Sequence, residues 1–326
     1  MINICNFPTQ VVAVDDNESF LQSLELVIDR NNNTYNSFSN PFEAIKYLEQ
    51  VLNDLNFLKD AITINIDEYD LLSVDLNINN LYKEIYSAER FSRVSLLITD
   101  FDMPGLTGLD LCQKLNNCYI YRILLTGIAD ESTAINAFNN GLIEQFMRKS
   151  VSIVDSLENL ITKSQEEYFN YISKNYSDLF NSNNKSLDVL KNPTFIDLFN
   201  KIIKEENITE HYLLDSLGSF LMLNNSGEVS ALYLTNLKQH EEIYNFAKHG
   251  NCPNDILEDL KKNNKTLWFY QSPIKDHIDW NQYLMPLNLI DLKNQVLYYS
   301  YTKKVPFVDK ESVISFDQYK KQLKIY

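Results

Sequence analysis

The chain has 326 residues, 44% of them hydrophobic and 12% aromatic, which is enough for two domains with packed cores. Its 29 basic residues against 44 acidic ones give a formal charge of -15, which argues against nucleic acid or an anionic membrane as the default partner. Seven glycines assemble into no phosphate loop or dinucleotide fingerprint, and Cys5, Cys112, Cys118 and Cys252 stand at no metal or disulfide spacing. No apolar run is long enough to span a bilayer and no leader pattern opens the chain, so the expectation is a soluble, cytoplasmic protein.

In chain order, Gln10 to Val14 is a short apolar run, as a buried parallel strand should be, and it ends on Asp15 and Asp16. Phe20, Leu21, Leu24, Val27 and Ile28 then recur at helical spacing. Tyr35 to Phe38 reads as a second strand, and Asn40-Pro41 as a helix cap with proline in the first turn. Within 53–92, Leu76, Ile78, Leu81, Tyr82, Ile85 and Tyr86 fit an amphipathic helix. Val94 to Ile98 is a buried strand ending at Thr99-Asp100, and a helix follows over Leu106 to Leu115. Ile120 to Leu125 ends at Thr126-Gly127, a helix runs from about Asp130 to Asn139, and Gln145 to Arg148 ends at Lys149. Five strands alternating with helices predict an α/β fold with a doubly wound, five-stranded parallel sheet.

Ser150 to about Phe180 reads as one long helix, either a solvated spacer or a dimerising element, and 181–185 as a polar linker. Beyond it, Leu217 to Leu223 and Val229 to Leu234 flank Asn224-Asn-Ser-Gly227 as a hairpin. Phe195 to Ile203, Leu237 to Lys248 and Asp255 to Lys262 are helical, and Leu267 to Tyr270 and Val296 to Tyr301 are aromatic strands. Residues 194–326 carry 15 lysines against 17 acidic residues, so the acidity sits in the first part, as do all five arginines, Arg30, Arg90, Arg93, Arg122 and Arg148. The expected division is 1–155 with an insertion at about 53–92, a helical linker over 156–193, and a smaller α+β domain over 194–326.

In an open parallel sheet, functional groups gather at the carboxyl ends of the strands. Those ends read Asp15-Asp16, Asp100, Thr126 and Lys149. Three carboxylates together repel one another unless a cation is present, and an all-oxygen set suits Mg²⁺. A carboxylate beside that ion can attack phosphorus, while a lysine and a threonine hydroxyl stabilise the phosphoryl oxygens.

Val-Asp15-Asp16, Ile-Thr-Asp100-Phe-Asp-Met-Pro-Gly105-Leu-Thr-Gly108, Leu-Leu-Thr126-Gly and Phe-Met-Arg-Lys149 resemble the CheY-like, flavodoxin-like receiver domain of two-component response regulators, over roughly residues 8–160. The resemblance implies that Asp100 accepts a phosphoryl group from a histidine kinase or phosphotransfer protein. It implies Asp16, Asp100 and the backbone carbonyl of Asp102 as direct Mg²⁺ ligands, with Asp15 acting through water. Lys149 would pair with the phosphoryl group, Thr126 would move toward it, and Phe146 would be the switch aromatic. Homodimerisation would use the receiver face or the long helix, and no reaction beyond the chain's own phosphorylation and dephosphorylation is implied. Two features depart from the family pattern: the long interval between Asp16 and Asp100, and Ser150 where a cis-proline usually follows the lysine, for which a trans bond is expected. Structural packing is the favoured role of the insertion.

Two other readings remain at this stage. One is a pseudo-receiver scaffold; the other is a haloacid-dehalogenase-like phosphatase, which Asp100-Phe-Asp102 resembles, although there the paired acidic ligands come late in the chain. The second part shows no helix-turn-helix signature and no arginine, which argues against DNA binding. Its four histidines, His211, His240, His249 and His277, form no metal pair, and Asp276-His277 resembles only a fragment of a phosphohydrolase motif. Leu214 to Gly227 with Trp268-Phe-Tyr270 and Tyr298-Tyr299-Ser-Tyr301 resembles a carboxy-terminal domain of some bacterial response regulators with the same receiver insertion.

Overall fold

The computed structural model describes residues 1–52, 62–66, 72–76, 78–115, 119–127, 131–149, 153–182, 187–269 and 278–323. Cys118, Ile128, Ser150, Tyr270, Asp276 and His277 lie outside them. Two compact units emerge, each built from three stretches of chain. One comprises 6–62, 87–176 and 316–326; the other comprises 1–5, 63–86 and 177–315.

The first unit holds five parallel strands: β1 (Thr9–Val14), β2 (Asn33–Phe38), β3 (Val94–Asp100), β4 (Tyr121–Thr126) and β5 (Gln145–Arg148). Their order is β2-β1-β3-β4-β5, so successive strands are added in opposite directions on either side of β1, which leaves a switch point between β1 and β3. The helices are α1 (Glu18–Val27), α2 (Pro41–Leu52), α3 (Gly108–Lys114), α4 (Glu131–Asn139) and α5 (Ile153–Ser182). Alternate strand residues build two cores. Val12, Val14, Leu97 and Leu124 meet Ala44 and Leu48 of α2, Leu111 and Cys112 of α3, and Ala134 of α4. Val11, Ala13, Leu96, Ile98, Ile123 and Leu125 meet Leu21 and Leu24 of α1 and Leu157 and Ile161 of α5. Every residue of β1, β3 and β4 is buried, which is why these strands read as mostly apolar runs, broken only by single polar residues such as Ser95 and Arg122. Each large aliphatic side chain so buried contributes roughly 1.5–3 kcal/mol.

A terminal helix, Phe316–Leu323, completes this unit. The Phe316 and Tyr319 rings lie 5.0 and 5.2 Å from that of Phe91, and the Tyr319 and Ser92 hydroxyls are 2.9 Å apart. Lys320 donates to the Arg30 carbonyl.

The second unit carries a six-stranded sheet and shows the expected mixture of strands and helices. Its strands include β6 (Ile208–Leu213), β7 (Phe220–Asn224), β8 (Val229–Thr235), β9 (Asn288–Asp291) and β10 (Val296–Thr302), in the order β6-β7-β8-β10-β9, antiparallel throughout. The short strand Cys5–Asn6 lies at the β6 edge. The predicted hairpin is β7–β8: Asn224 Oδ1 accepts from Ser226 and Glu228 amides, and Gly227 takes the left-handed φ of +84° that the turn requires. Its first strand starts at Phe220 and not Leu217, because Asp215 folds the preceding residues into a turn. Helices α6 (Pro193–Glu205), α7 (Leu237–His249) and α8 (Asn254–Lys261) belong to the same unit.

The stretch expected as one amphipathic helix is instead a strand, Leu72–Leu76, followed by a 3₁₀ helix over Ile78–Tyr86. Leu81 and Ile85 are buried, Tyr82 sits edge-on to Phe307, and the Ile314 amide donates to the Ile85 carbonyl. A 3₁₀ helix superimposes side chains every third residue, so Tyr82 and Ile85 share a side; the i, i+3 repeat is common to both helix types, and the sequence pattern alone does not separate them.

Truncating Phe316, which is fully buried, to alanine is expected to destabilise the first unit by about 3–5 kcal/mol in chemical denaturation. The control Leu323→Ala removes an exposed side chain of the same helix and is expected to stay within about 0.5 kcal/mol of wild type.

Candidate functional site

Parallel pairing sets Val14 opposite both Phe38 and Thr99, Asp100 opposite Leu125, and Thr126 opposite Arg148. The next residues on each strand therefore emerge at one edge of the sheet, beside the switch point. Two main-chain bonds extend the ladder there: the Phe101 amide donates to the Leu125 carbonyl at 2.8 Å, and the Lys149 amide to the Thr126 carbonyl at 3.0 Å.

Asp15, Asp16 and Asp100 each bring a carboxylate oxygen to within 4.8 Å of the others. Asp15 and Asp100 are buried, and Asp16 is exposed. Lys149 Nζ lies 2.7 Å from Asp15 Oδ2 and 3.1 Å from Asp100 Oδ2, and 4.9 Å from the Phe20 ring centroid. Asp15 Oδ1 accepts from the Asn17 amide at 2.9 Å, while Asn17 caps α1 through its own side chain. Asp15 Oδ2 is buried, and its partner is the Lys149 ammonium.

The charges do not balance: three carboxylates face one ammonium. Burial pushes the Asp100 carboxyl above its ordinary range, and the Asp15 charge adds to this, against the hydrogen bond and charge of Lys149. For Lys149 burial acts to lower the pKa, and bonding to Asp15 and Asp100 outweighs it and raises the value. Hard oxygen donors and an excess of negative charge that one ammonium does not balance fit a divalent cation of the Mg²⁺ kind.

Thr126 is buried at the end of β4. Asp102 is exposed, and its carboxylate does not join the acidic group among the described residues. Phe146 is half-buried on β5, opposite Leu124, with its ring 6.2 Å from that of Phe138.

Three supporting residues were not assigned to the site from sequence. Asn17 and Phe20 buttress Asp15 and Lys149; the capping pattern of an Asn three residues before the first helical apolar residue was available as a signal. Gly108 was quoted only within the motif. A Cβ there would lie 2.2 Å from the Asp100 carbonyl oxygen and 2.9 Å from Leu124 Cδ1, so only glycine lets α3 start this close to β3. Thr107 and Asp110 fix that start with a reciprocal capping box.

No protein-family model matches the chain. The structure of the response regulator LqsR of Legionella pneumophila matches 99% of this chain and 96% of its own, with 29% identity and a TM-score of 0.75. The two-component response regulator ARR16 of Arabidopsis thaliana is 26% identical over 148 residues, covering 44% of this chain and 74% of its own. A receiver-domain protein from Clostridium thermocellum matches 49% of this chain and 95% of its own at 19% identity and a TM-score of 0.34. With the five-stranded parallel sheet, the likeness over the full length to LqsR places the chain among the two-component response regulators. It has a CheY-like receiver fold and a second, antiparallel-sheet part, and it serves phosphorelay signalling. Among the described residues no helix is long and apolar enough to cross a membrane.

A carboxyl whose pKa rises on folding holds its proton more tightly in the folded state. Asp100 therefore withdraws stability as the pH climbs from the ordinary carboxylate range of about 4 through its folded-state value. Without metal, Asp100→Asn is expected to match wild type at the acid end of this window and to exceed it increasingly above, in thermal denaturation at a series of pH values. Mg²⁺ is expected to shrink that difference by stabilising wild type more than the variant; a difference that is independent of both pH and Mg²⁺ would contradict the charge imbalance.

Proposed function

We propose that Asp100 is the phosphoryl acceptor and that a histidine kinase or phosphotransfer protein is its donor. The observation that carries this reading is the Asp15–Asp16–Asp100 group with Lys149 in ion-pair contact with two of its members. A carboxylate oxygen of Asp100 bonds to phosphorus as the bond from phosphorus to the donor's leaving group breaks, and the leaving group departs with the electron pair. Asp15, Asp16 and Asp100, with the backbone carbonyl of Asp102, would hold Mg²⁺, which supplies positive charge to the phosphoryl oxygens. Lys149 then exchanges its Asp100 contact for a phosphoryl oxygen, while its contact with Asp15 keeps it in place. The Thr126 hydroxyl, on the adjoining strand end, offers a hydrogen bond to the same oxygens.

Response to phosphorylation follows from these contacts. Drawing Lys149 and Thr126 toward a new dianion pulls on β4 and β5, and Phe146 on β5 is the aromatic that this reading assigns to the switch. The readout is a change in self-association, through the receiver face or α5, or in the second unit. The reading gives the chain no reaction beyond its own phosphorylation and dephosphorylation.

Intact mass after incubation with a small phosphodonor and Mg²⁺ tests it. One phosphoryl adduct is expected in wild type and none in Asp100→Asn, while Lys149→Ala and Thr126→Ala slow adduct formation by about tenfold or more. No adduct from the small donor or from a panel of histidine kinases would support a scaffold instead. Sustained turnover of an unrelated phosphomonoester would support a phosphatase.

A further inference from the structure

The second unit contains a cavity of about 390 Å³ that the receiver chemistry does not use. It is bordered by Asp215 in the turn between β6 and β7, by Tyr233 of β8, by Glu242, Ile243 and Phe246 of α7, and by Phe269. The size falls within the range of small-molecule sites, and the composition is mostly apolar with a few convergent polar groups. Phe246 and Phe269 stand edge-to-face, with centroids 5.3 Å apart, and Phe246 is 39% exposed despite its size. An aromatic pair of this kind, open on one side, offers a flat apolar body a surface to lie against.

The charges in the cavity are of one sign. Asp215 and Glu242 border it, and neither pairs with a lysine or arginine among the described residues. Asp215 organises its own turn with one oxygen: Oδ1 accepts from the amides of Leu217, Gly218 and Ser219 at 2.9, 3.1 and 3.1 Å. The carboxylate also accepts from the Ser219 hydroxyl, and its second oxygen takes none of these amides. Burial raises the Asp215 carboxyl above its ordinary value, although Ser219 and the turn amides pull the other way. Shaping the turn needs only an oxygen acceptor, which asparagine would supply without placing a charge here. A carboxylate in this position costs desolvation that the turn does not require, and a cation would offset it.

We propose that this cavity binds a small organic cation: a primary ammonium facing Asp215 and Glu242, carried on an aromatic body that packs against Phe246 and Phe269. An arylalkylamine is the simplest member of that class. The ammonium would gain charge-assisted hydrogen bonds from the carboxylates and a favourable position over aromatic faces. Such a site lies wholly within the second unit and is independent of the phosphoryl reading.

The test is calorimetric titration of the full chain, with Mg²⁺ present, against 2-phenylethylamine, 2-phenylethanol and phenylacetate. Saturable one-to-one binding of the amine is expected, with the alcohol at least about tenfold weaker and phenylacetate weaker still. Asp215→Asn retains Oδ1 for the turn and is expected to weaken amine binding by about tenfold or more. Glu242→Gln changes an exposed helix residue, so it keeps the test informative if Asp215→Asn misfolds by circular dichroism; it is expected to weaken binding severalfold. Phe246→Ala is expected to weaken amine and alcohol alike. Asp100→Asn, which alters the acidic group of the receiver, is expected to leave amine binding unchanged. Equal affinity for amine and alcohol, loss of binding in Asp100→Asn, unchanged binding in Glu242→Gln and a folded Asp215→Asn, or no saturable amine binding at all would overturn the proposal.

Discussion

Three carboxylates and one ammonium at the end of a parallel sheet are the constraint on which the receiver unit turns. Asp15, Asp16 and Asp100 would separate in an open chain; here they are held together because β1 and β3 pair in a fixed register. That register is paid for elsewhere, by apolar side chains alternating onto two faces of the sheet. Lys149 offsets part of the repulsion and remains close to both buried acids. Burial, with the Asp15 charge added to it, raises the Asp100 carboxyl, and the residual negative charge leaves the group short of a cation. Gly108 belongs to the same arrangement, since the approach of α3 to the Asp100 carbonyl leaves no room for a Cβ.

The two units interleave along the chain. The first five residues and the stretch 63–86 belong with 177–315, and the terminal residues 316–326 return to the receiver unit. Hydrogen bonds and ring contacts explain each assignment. Ile2 and Ile4 bond through their backbones to Leu190 and Leu213, Tyr82 packs on Phe307, and Phe316 and Tyr319 pack on Phe91. A receiver cut out as one continuous N-terminal segment would therefore keep the 63–86 stretch without its packing partners and lose the terminal helix. The chain passes between the two units at several points and not through one tether.

Legibility in the sequence followed burial on both faces. The strands β1, β3 and β4 showed as apolar runs because both sides of each are covered, and their ends named the acidic group. The strand β6 was missed because it buries Glu210 and His211, whose polarity hides it; Glu210 is satisfied by the Tyr212 hydroxyl at 2.8 Å and His211 by the Asn3 carbonyl. Burial lowers the His211 pKa to about 4, which keeps the ring neutral at ordinary pH. The terminal helix was missed as well, since only Phe316 and Tyr319 of its residues are buried and a two-residue stripe barely registers as periodicity. Asp102 stood in the motif beside Asp100; its side chain is exposed, and the motif assigned a role to its backbone carbonyl and not to its carboxylate.

The amino-acid sequence by itself determined the alternation of strands and helices, the order of acid, acid, threonine and lysine on successive strand ends, and the hairpin around Gly227. These are local matters: residue period, turn chemistry and spacing along one segment settle them. Only the tertiary structure decided which distant stretches share a core, that the insertion turns as a 3₁₀ helix, that Asn17, Phe20 and Gly108 support the acidic group, and that Asp215 and Glu242 border one cavity with two aromatic rings. Such pairings join residues far apart in the chain through packing and charge, and no periodicity within a single segment encodes them.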